Sequence, residues 1–163
     1  MSPSRSAGPG RDLGLLLARI VLGLIFAAHG YQKLFTFGPA GVAESFSGMG
    51  VPAAGLVGPA IAAVELVGGI LLILGAFTSL VGIVLAAEML VAALVAHLPL
   101  GLFIENGGWE LVGALGAGAL ALAAAGAGRY SLDRALPGGK RRDRARSVTA
   151  SASETTPATA SHS

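Results

Sequence analysis

The sequence predicts an all-α integral membrane protein, a four-helix bundle with both termini on the cytoplasmic side. Three observations carry that prediction. The first is composition: 53% of the 163 residues are hydrophobic and 12% are charged, where a soluble domain carries about 25% charged residues. The mean hydropathy is correspondingly high, at +0.73. The second is segmentation. Four apolar stretches, roughly 13–35, 54–77, 80–98 and 109–127, each approach the ~20 residues that cross a ~30 Å hydrocarbon core. They lack the alternation of a barrel strand, so helices are expected, with every backbone amide satisfied within its own segment. The third is charge. Arg5 and Arg11 precede the first stretch, and seven of the eleven Lys and Arg residues, from Arg129 to Arg146, follow the last. The first and third connections hold none, apart from Lys33 at the border of the first. Cytoplasmic segments collect Lys and Arg, so four spans with both ends inside satisfy the pattern. A multi-pass membrane protein is expected, with the lipid bilayer as its principal partner.

The chain divides accordingly. Residues 1–12 form a polar arm expected to be flexible. Arg19 within the first stretch, the lack of a cleavage site and the spans that follow argue against a signal peptide. Residues 13–136 form the transmembrane domain. Its first connection, 36–53, contains Pro39 and Pro52 and is expected to hold a short interfacial helix around Val42–Met49. The second connection is a tight turn near Thr78–Ser79. The third, 99–108, bears Gly and Asn and ends at Trp109. Gly113, Gly116, Gly118, Gly126 and Gly128 suggest small-residue packing stripes, which also suit a homo-oligomer. Residues 137–163, basic and then rich in Ser, Thr and Ala, carry too little apolar surface to fold.

Composition also excludes functions. With no cysteine, disulfides, dithiol redox chemistry, thiolate metal sites and covalent haem attachment are ruled out. The basic residues sit mostly in one C-terminal block rather than on an aromatic surface, so nucleic acid is not an expected partner. No phosphate-binding glycine loop and no nucleophile elbow occurs. His29, His97, Glu105 and Glu110 are metal-ligand types, but they show no ligand spacing, and no metal is expected.

The polar residues inside this apolar frame are the candidate site. Ionisable groups within a membrane are costly and point to function by default. Arg19 lies in the inner half of the first span, while Glu65 and Glu88 lie near the middles of the second and third. Arg19 is expected to form a structural ion pair with one of these carboxylates. The outer layer is richer. The spacing of His29, Gln32 and Lys33 places them on one helix face. His97 closes the third span, and Glu105, Asn106, Trp109 and Glu110 open the fourth. His29 needs a polar partner, with Glu110 the first choice and Glu65 the second. Taken singly, helix capping, interfacial anchoring and snorkelling account for most of these residues.

Several motifs fall in a fixed order: HGYQKLF at 29–35, AxxELxGGxLLxLG from Ala62 to Gly75, Glu88-Met89, HLP at 97–99, ENGGWE at 105–110 and GRYSLDR at 128–134. In this order, over about residues 11–136, the chain resembles the DoxX family of bacterial four-helix membrane proteins. The resemblance implies a multi-pass protein of the bacterial inner membrane that is associated with oxidoreduction, since relatives serve as subunits of a terminal quinol oxidase or act in thiosulfate:quinone oxidoreduction. The residues and the resemblance together lead to one expectation: a quinone-like cofactor or substrate bound in the outer half of the bundle. His29, Lys33, Glu65, Glu88 and Glu110 are the catalytic candidates; Gln32, His97, Asn106 and Trp109 are the binding candidates. Two alternatives stand beside it, a non-enzymatic subunit that recruits a redox or stress-response enzyme and a small proton-coupled carrier.

Overall fold

All regular structure in residues 8–135, the part described by the computed structural model, is helical. Residues 1–7 and the tail beyond 135, including most of the basic block, lie outside the described residues. Helix α1 runs Pro9–Tyr31 and continues through a π-helical turn, Gln32–Phe37, into α2, Gly38–Gly48. Helix α3 spans Ala54–Leu74 and α4 spans Thr78–Ala92. A second π turn, Ala93–His97, extends α4. Helix α5 covers Glu110–Ala125, and a single turn, α6, covers Leu132–Ala135. The first connection does hold a short helix, α2, which begins four residues earlier than the sequence suggests.

Three of these helical runs are long and apolar enough to cross a membrane: Pro9–Gly48, Ala54–Leu74 and Thr78–Leu100. The fourth apolar helix, α5, is shorter, at 16 residues. Helix α1 begins at Pro9, whose fixed φ suits a first turn. Asp12 is therefore part of the fold, 3% exposed, and not part of a flexible arm. The α3–α4 turn also falls earlier than expected, at 75–77. Gly75 adopts a left-handed conformation (φ 66°), and the Ala76 amide reaches back to the Leu71 carbonyl at 2.9 Å, closing α3.

Small residues set the packing. Helix α1 lies antiparallel on α3: a Cβ added at Gly23 would stand 2.6 Å from the Gly69 carbonyl oxygen, and one at Gly30 would stand 2.6 Å from the Ala62 carbonyl oxygen. Only glycine permits backbones this close. Helices α4 and α5 form a second antiparallel pair, with Gly82 against Ala119 and Gly116 against Met89. The two pairs enclose a core of Phe26, Leu72, Val81, Leu85, Met89, Leu115, Ala119 and Leu122. Of the expected stripe, Gly116 and Gly118 pack tightly, against Met89 and Leu22. Gly113 meets only the ring of Trp109, Gly126 ends α5 with positive φ, and Gly128, also at positive φ, lies beyond the helix against Leu15 and Asp12. Large apolar side chains such as Leu17, Leu24, Leu56, Leu80, Leu90 and Leu120 point outward. An apolar exterior around a small-residue interior is what lipid as a solvent selects.

Candidate functional site

The buried face of α1 is traced by Arg19, Gly23, Phe26 and Gly30. Their spacing alternates four and three, and the next step along the same stripe is Lys33. Its side chain is 26% exposed, and its Nζ lies 2.7 Å from both Oε1 and Oε2 of Glu65. Glu65 belongs to the matching stripe of α3, between Ala62 and Gly69, and is 3% exposed. The pair is thus placed by the same glycine seam that brings α1 and α3 together.

Glu88 completes the group. The α3–α4 register that sets Gly68 against the Leu85 side chain also sets Glu65 opposite Glu88. Glu88 interacts electrostatically with both Glu65 and Lys33. Both of its carboxylate oxygens are buried and neither accepts a hydrogen bond from a protein donor. Two ionised carboxylates offer each other no donor; a proton on either one creates it. Lys33, Glu65 and Glu88 therefore form a polar triad contributed by α1, α3 and α4. Glu65 lies eleven residues into the 21-residue α3, some 16 Å along its axis at ~1.5 Å per residue.

The other candidates are placed differently. Arg19 does not pair with Glu65 or Glu88. It sits at the opposite end of the α1–α3 seam, fully buried beside Gly75, and donates through Nη2 to the Tyr130 carbonyl. Its nearby acid is Asp133. Gly75 is ten residues from Glu65, about 15 Å along α3, too far for an ion pair. His29 bonds neither to Glu110 nor to Glu65. It is one residue off the buried stripe and exposed, with Nδ1 donating to the Ile25 carbonyl at 2.9 Å. Gln32 is likewise exposed.

The outer loop uses its polar groups on itself. His97 Nδ1 donates to the Gly107 carbonyl at 2.7 Å, and Glu110 Oε1 accepts the Ile104 amide at 2.8 Å. Glu105 and Asn106 are exposed at the bend, and Trp109 is 39% exposed with its ring against Gly113. Among the described residues, no three His, Asp or Glu side chains come together as a metal-binding group.

A second polar cluster, at the far end of the α1–α3 seam, was not foreseen. Asp133 accepts the Phe77 and Thr78 amides at 2.6 and 2.9 Å, capping α4 from a distant part of the chain. Its own amide donates to the Gly75 carbonyl at 2.9 Å. Asp12 accepts the Arg129 amide at 3.1 Å, and Arg11 donates to the Ala125 carbonyl at 3.1 Å. The signal available in sequence was the acid and basic content of GRYSLDR together with Asp12 just before the first apolar run.

Comparison with known proteins agrees with this architecture. The DoxX family model matches residues 14–98, the stretch that contains Lys33, Glu65 and Glu88. The Bacillus subtilis (strain 168) protein named "Putative oxidoreductase CatD" is 34% identical over 87 residues, 53% of this chain and 62% of that protein. The Escherichia coli (strain K12) protein named "Inner membrane protein YqjF" is 30% identical over 125 residues, 77% of this chain and 93% of that protein. The chain thus spans less than two thirds of the Bacillus relative and nearly all of the Escherichia one. No solved structure matches it. The matched helices are those that build the α1–α3 seam and the α3–α4 hairpin, and by that match and the near full-length relative the chain belongs to the DoxX family of membrane proteins.

Proposed function

We propose that the protein is a multi-pass protein of the bacterial inner membrane that takes part in quinone-linked redox chemistry, with the Lys33–Glu65–Glu88 triad as its binding and proton-handling site. The observation that carries this reading is Glu88, whose carboxylate is buried beside an ion pair yet accepts no hydrogen bond. Two carboxylates and one ammonium leave a single negative charge in an apolar interior, and one bound proton cancels it. A quinone-like headgroup offers carbonyl oxygens that accept a hydrogen bond. Lys33 has a third N–H beyond the two directed at Glu65, and a protonated Glu88 is a donor at the same level.

The route to the site is lateral. His29 and Gln32 lie on the exposed flank of α1, next to Lys33, where an apolar ligand dissolved in the bilayer arrives. Reduction of a quinone to a quinol consumes two electrons, supplied here by a redox partner, and two protons, which the triad hands on and regains from water. The name of the Bacillus relative supports a redox role, and the cysteine-free sequence supports electrons that come from another group. The charge pattern supports four spans with both ends in the cytoplasm.

Quinone binding to the purified protein in lipid nanodiscs tests this. Binding that weakens at least tenfold in Glu88→Gln, with helical content unchanged, is the expected result. Equal binding by the unaltered chain, Glu88→Gln and Lys33→Met overturns it, and stoichiometric capture of a redox enzyme by the same variants then favours a recruiting subunit.

A further inference from the structure

Helix α5 has 16 residues, about 24 Å at ~1.5 Å per residue, short of the ~30 Å hydrocarbon core. The segment that leads into it is unusual for a connection between helices. Residues 98–104 read LPLGLFI, without a single polar side chain. Leu98, Leu100, Leu102, Phe103 and Ile104 are each 44–60% exposed. In water, five neighbouring large apolar side chains held outward make an unfavourable surface.

The backbone of the same segment is bonded inward. The Glu110 amide donates to the Leu102 carbonyl at 2.9 Å and the Trp109 amide to Gly101 at 3.1 Å. The Gly108 and Gly107 amides donate to Phe103 and Ile104 at 2.9 and 2.8 Å. Side chains supply what the backbone does not: Glu110 takes the Ile104 amide and His97 serves the Gly107 carbonyl. A loop in water needs none of this, because solvent satisfies its polar groups. Apolar side chains turned out and polar backbone turned in is the arrangement that a lipid environment demands.

We infer that residues 98–109 dock into the interfacial layer of the bilayer, with Leu98, Leu100, Leu102, Phe103 and Ile104 in the acyl boundary. The partner is the lipid surface itself. The segment supplies the apolar length that α5 lacks. The exposed Glu105 and Asn106, at the bend, fit the headgroup level. Phe35 and Phe37, 65% and 58% exposed at the same end of the bundle, continue the apolar rim. This inference does not depend on the triad's chemistry.

Trp109 is the single tryptophan of the chain, so a movable fluorescent probe is available. The test places the full chain, carrying Trp109→Phe and Phe103→Trp, in phosphatidylcholine vesicles. Its emission is followed with lipids brominated along the acyl chain and, separately, with acrylamide in the water. The expected result is strong quenching by the brominated lipid and severalfold weaker acrylamide quenching than for a free tryptophan analogue. Full acrylamide quenching with no response to brominated lipid overturns the inference and marks the segment as water-facing, available to a soluble partner. Should the variant not insert, Trp109 of the unaltered chain is read in the same way, with the same two outcomes.

Discussion

Lys33 Nζ stands 2.7 Å from each carboxylate oxygen of Glu65, across the seam where Gly30 lets α1 approach α3. The contact is symmetric, and it is reached by a side chain that follows the buried stripe of its own helix. Glycine at position 30 brings the two backbones close enough that the lysine stem need not extend far. The ion pair and the seam are thus one device: the seam positions the charges, and the charges fix the register of the seam.

Removing one member should therefore cost more than removing both. Glu65→Leu strips Lys33 of its direct ion-pair partner and is expected to destabilise by about 3 kcal/mol, the lower end for a broken buried pair because Lys33 keeps some exposure and Glu88 remains nearby. Lys33→Met alone should behave similarly. The double variant Lys33→Met/Glu65→Leu should recover most of the loss. Denaturant unfolding in detergent micelles gives all three values, and additive losses would contradict the coupling.

Glu88 predicts the opposite pattern. Its oxygens accept no protein hydrogen bond, so Glu88→Gln removes little stabilisation. The change in unfolding free energy should stay within about 1 kcal/mol, while quinone binding falls. A stability loss equal to that of Glu65→Leu would assign Glu88 to structure.

The seam itself can be probed without touching a charge. Gly69→Val places side-chain atoms where the Ala27 and Gly23 backbones already lie. Overpacking of this kind costs about 1–3 kcal/mol, and the forced separation should also loosen the Lys33–Glu65 contact. The same substitution at Gly55, which faces open space, is the control. Thermal unfolding of the two variants should differ clearly.

Asp133→Ala removes the acceptor of the Phe77 and Thr78 amides. A lost helix cap costs about 1 kcal/mol, up to ~2 where the acceptor is charged. Phe77 is also held at φ 52°, a left-handed value that a bulky side chain avoids. Faster amide exchange at Phe77 and Thr78, measured by mass spectrometry, is the expected local sign; unchanged exchange there would mean that the cap is dispensable.

His97→Phe keeps the ring volume and deletes the donor to Gly107. The outer loop should open, with amide exchange rising from Gly107 to Glu110 and little change in the bundle. The cost is that of one hydrogen bond, about 1 kcal/mol.

Run length and composition made the helices legible, because lipid imposes a simple length rule. The partners were harder to read. Treating His29, Gln32 and Lys33 as one face was sound spacing, but it did not say which edge of that face turns inward. The stripe of Arg19, Gly23, Phe26 and Gly30 settles this, and it points to Lys33. His29, one residue away, is rotated by about 100° onto the exposed flank. The expected Arg19 pair failed for a related reason. Depth counted along separate spans does not give the register between them, and the seam sets Gly23 against Gly69 and Gly30 against Ala62. Helices run in opposite directions, so Arg19 meets the end of α3 near Gly75. Glu110 and His97 were visible as polar residues near one end. Their use on nearby backbone depends on the fold of the 98–109 loop, which periodicity does not describe. Asp12 and Asp133 were missed because their partners are backbone groups more than fifty residues away.

The second polar cluster bears on the order in which the protein is made. Asp12 and Arg19 belong to α1, which is made before the other described helices, and the α4 start at Thr78 comes midway. Their partners, Arg129, Tyr130 and Asp133, lie beyond α5. During synthesis, then, the α1–α3 seam can zip as soon as both helices are in the bilayer, but its far end stays unlatched until the last segment emerges. A fully buried arginine waits for a carbonyl that has not yet been translated. A chain cut short at α5 would leave Asp12 and Arg19 without these partners, so the helix made early is fixed at this end only by a segment made late.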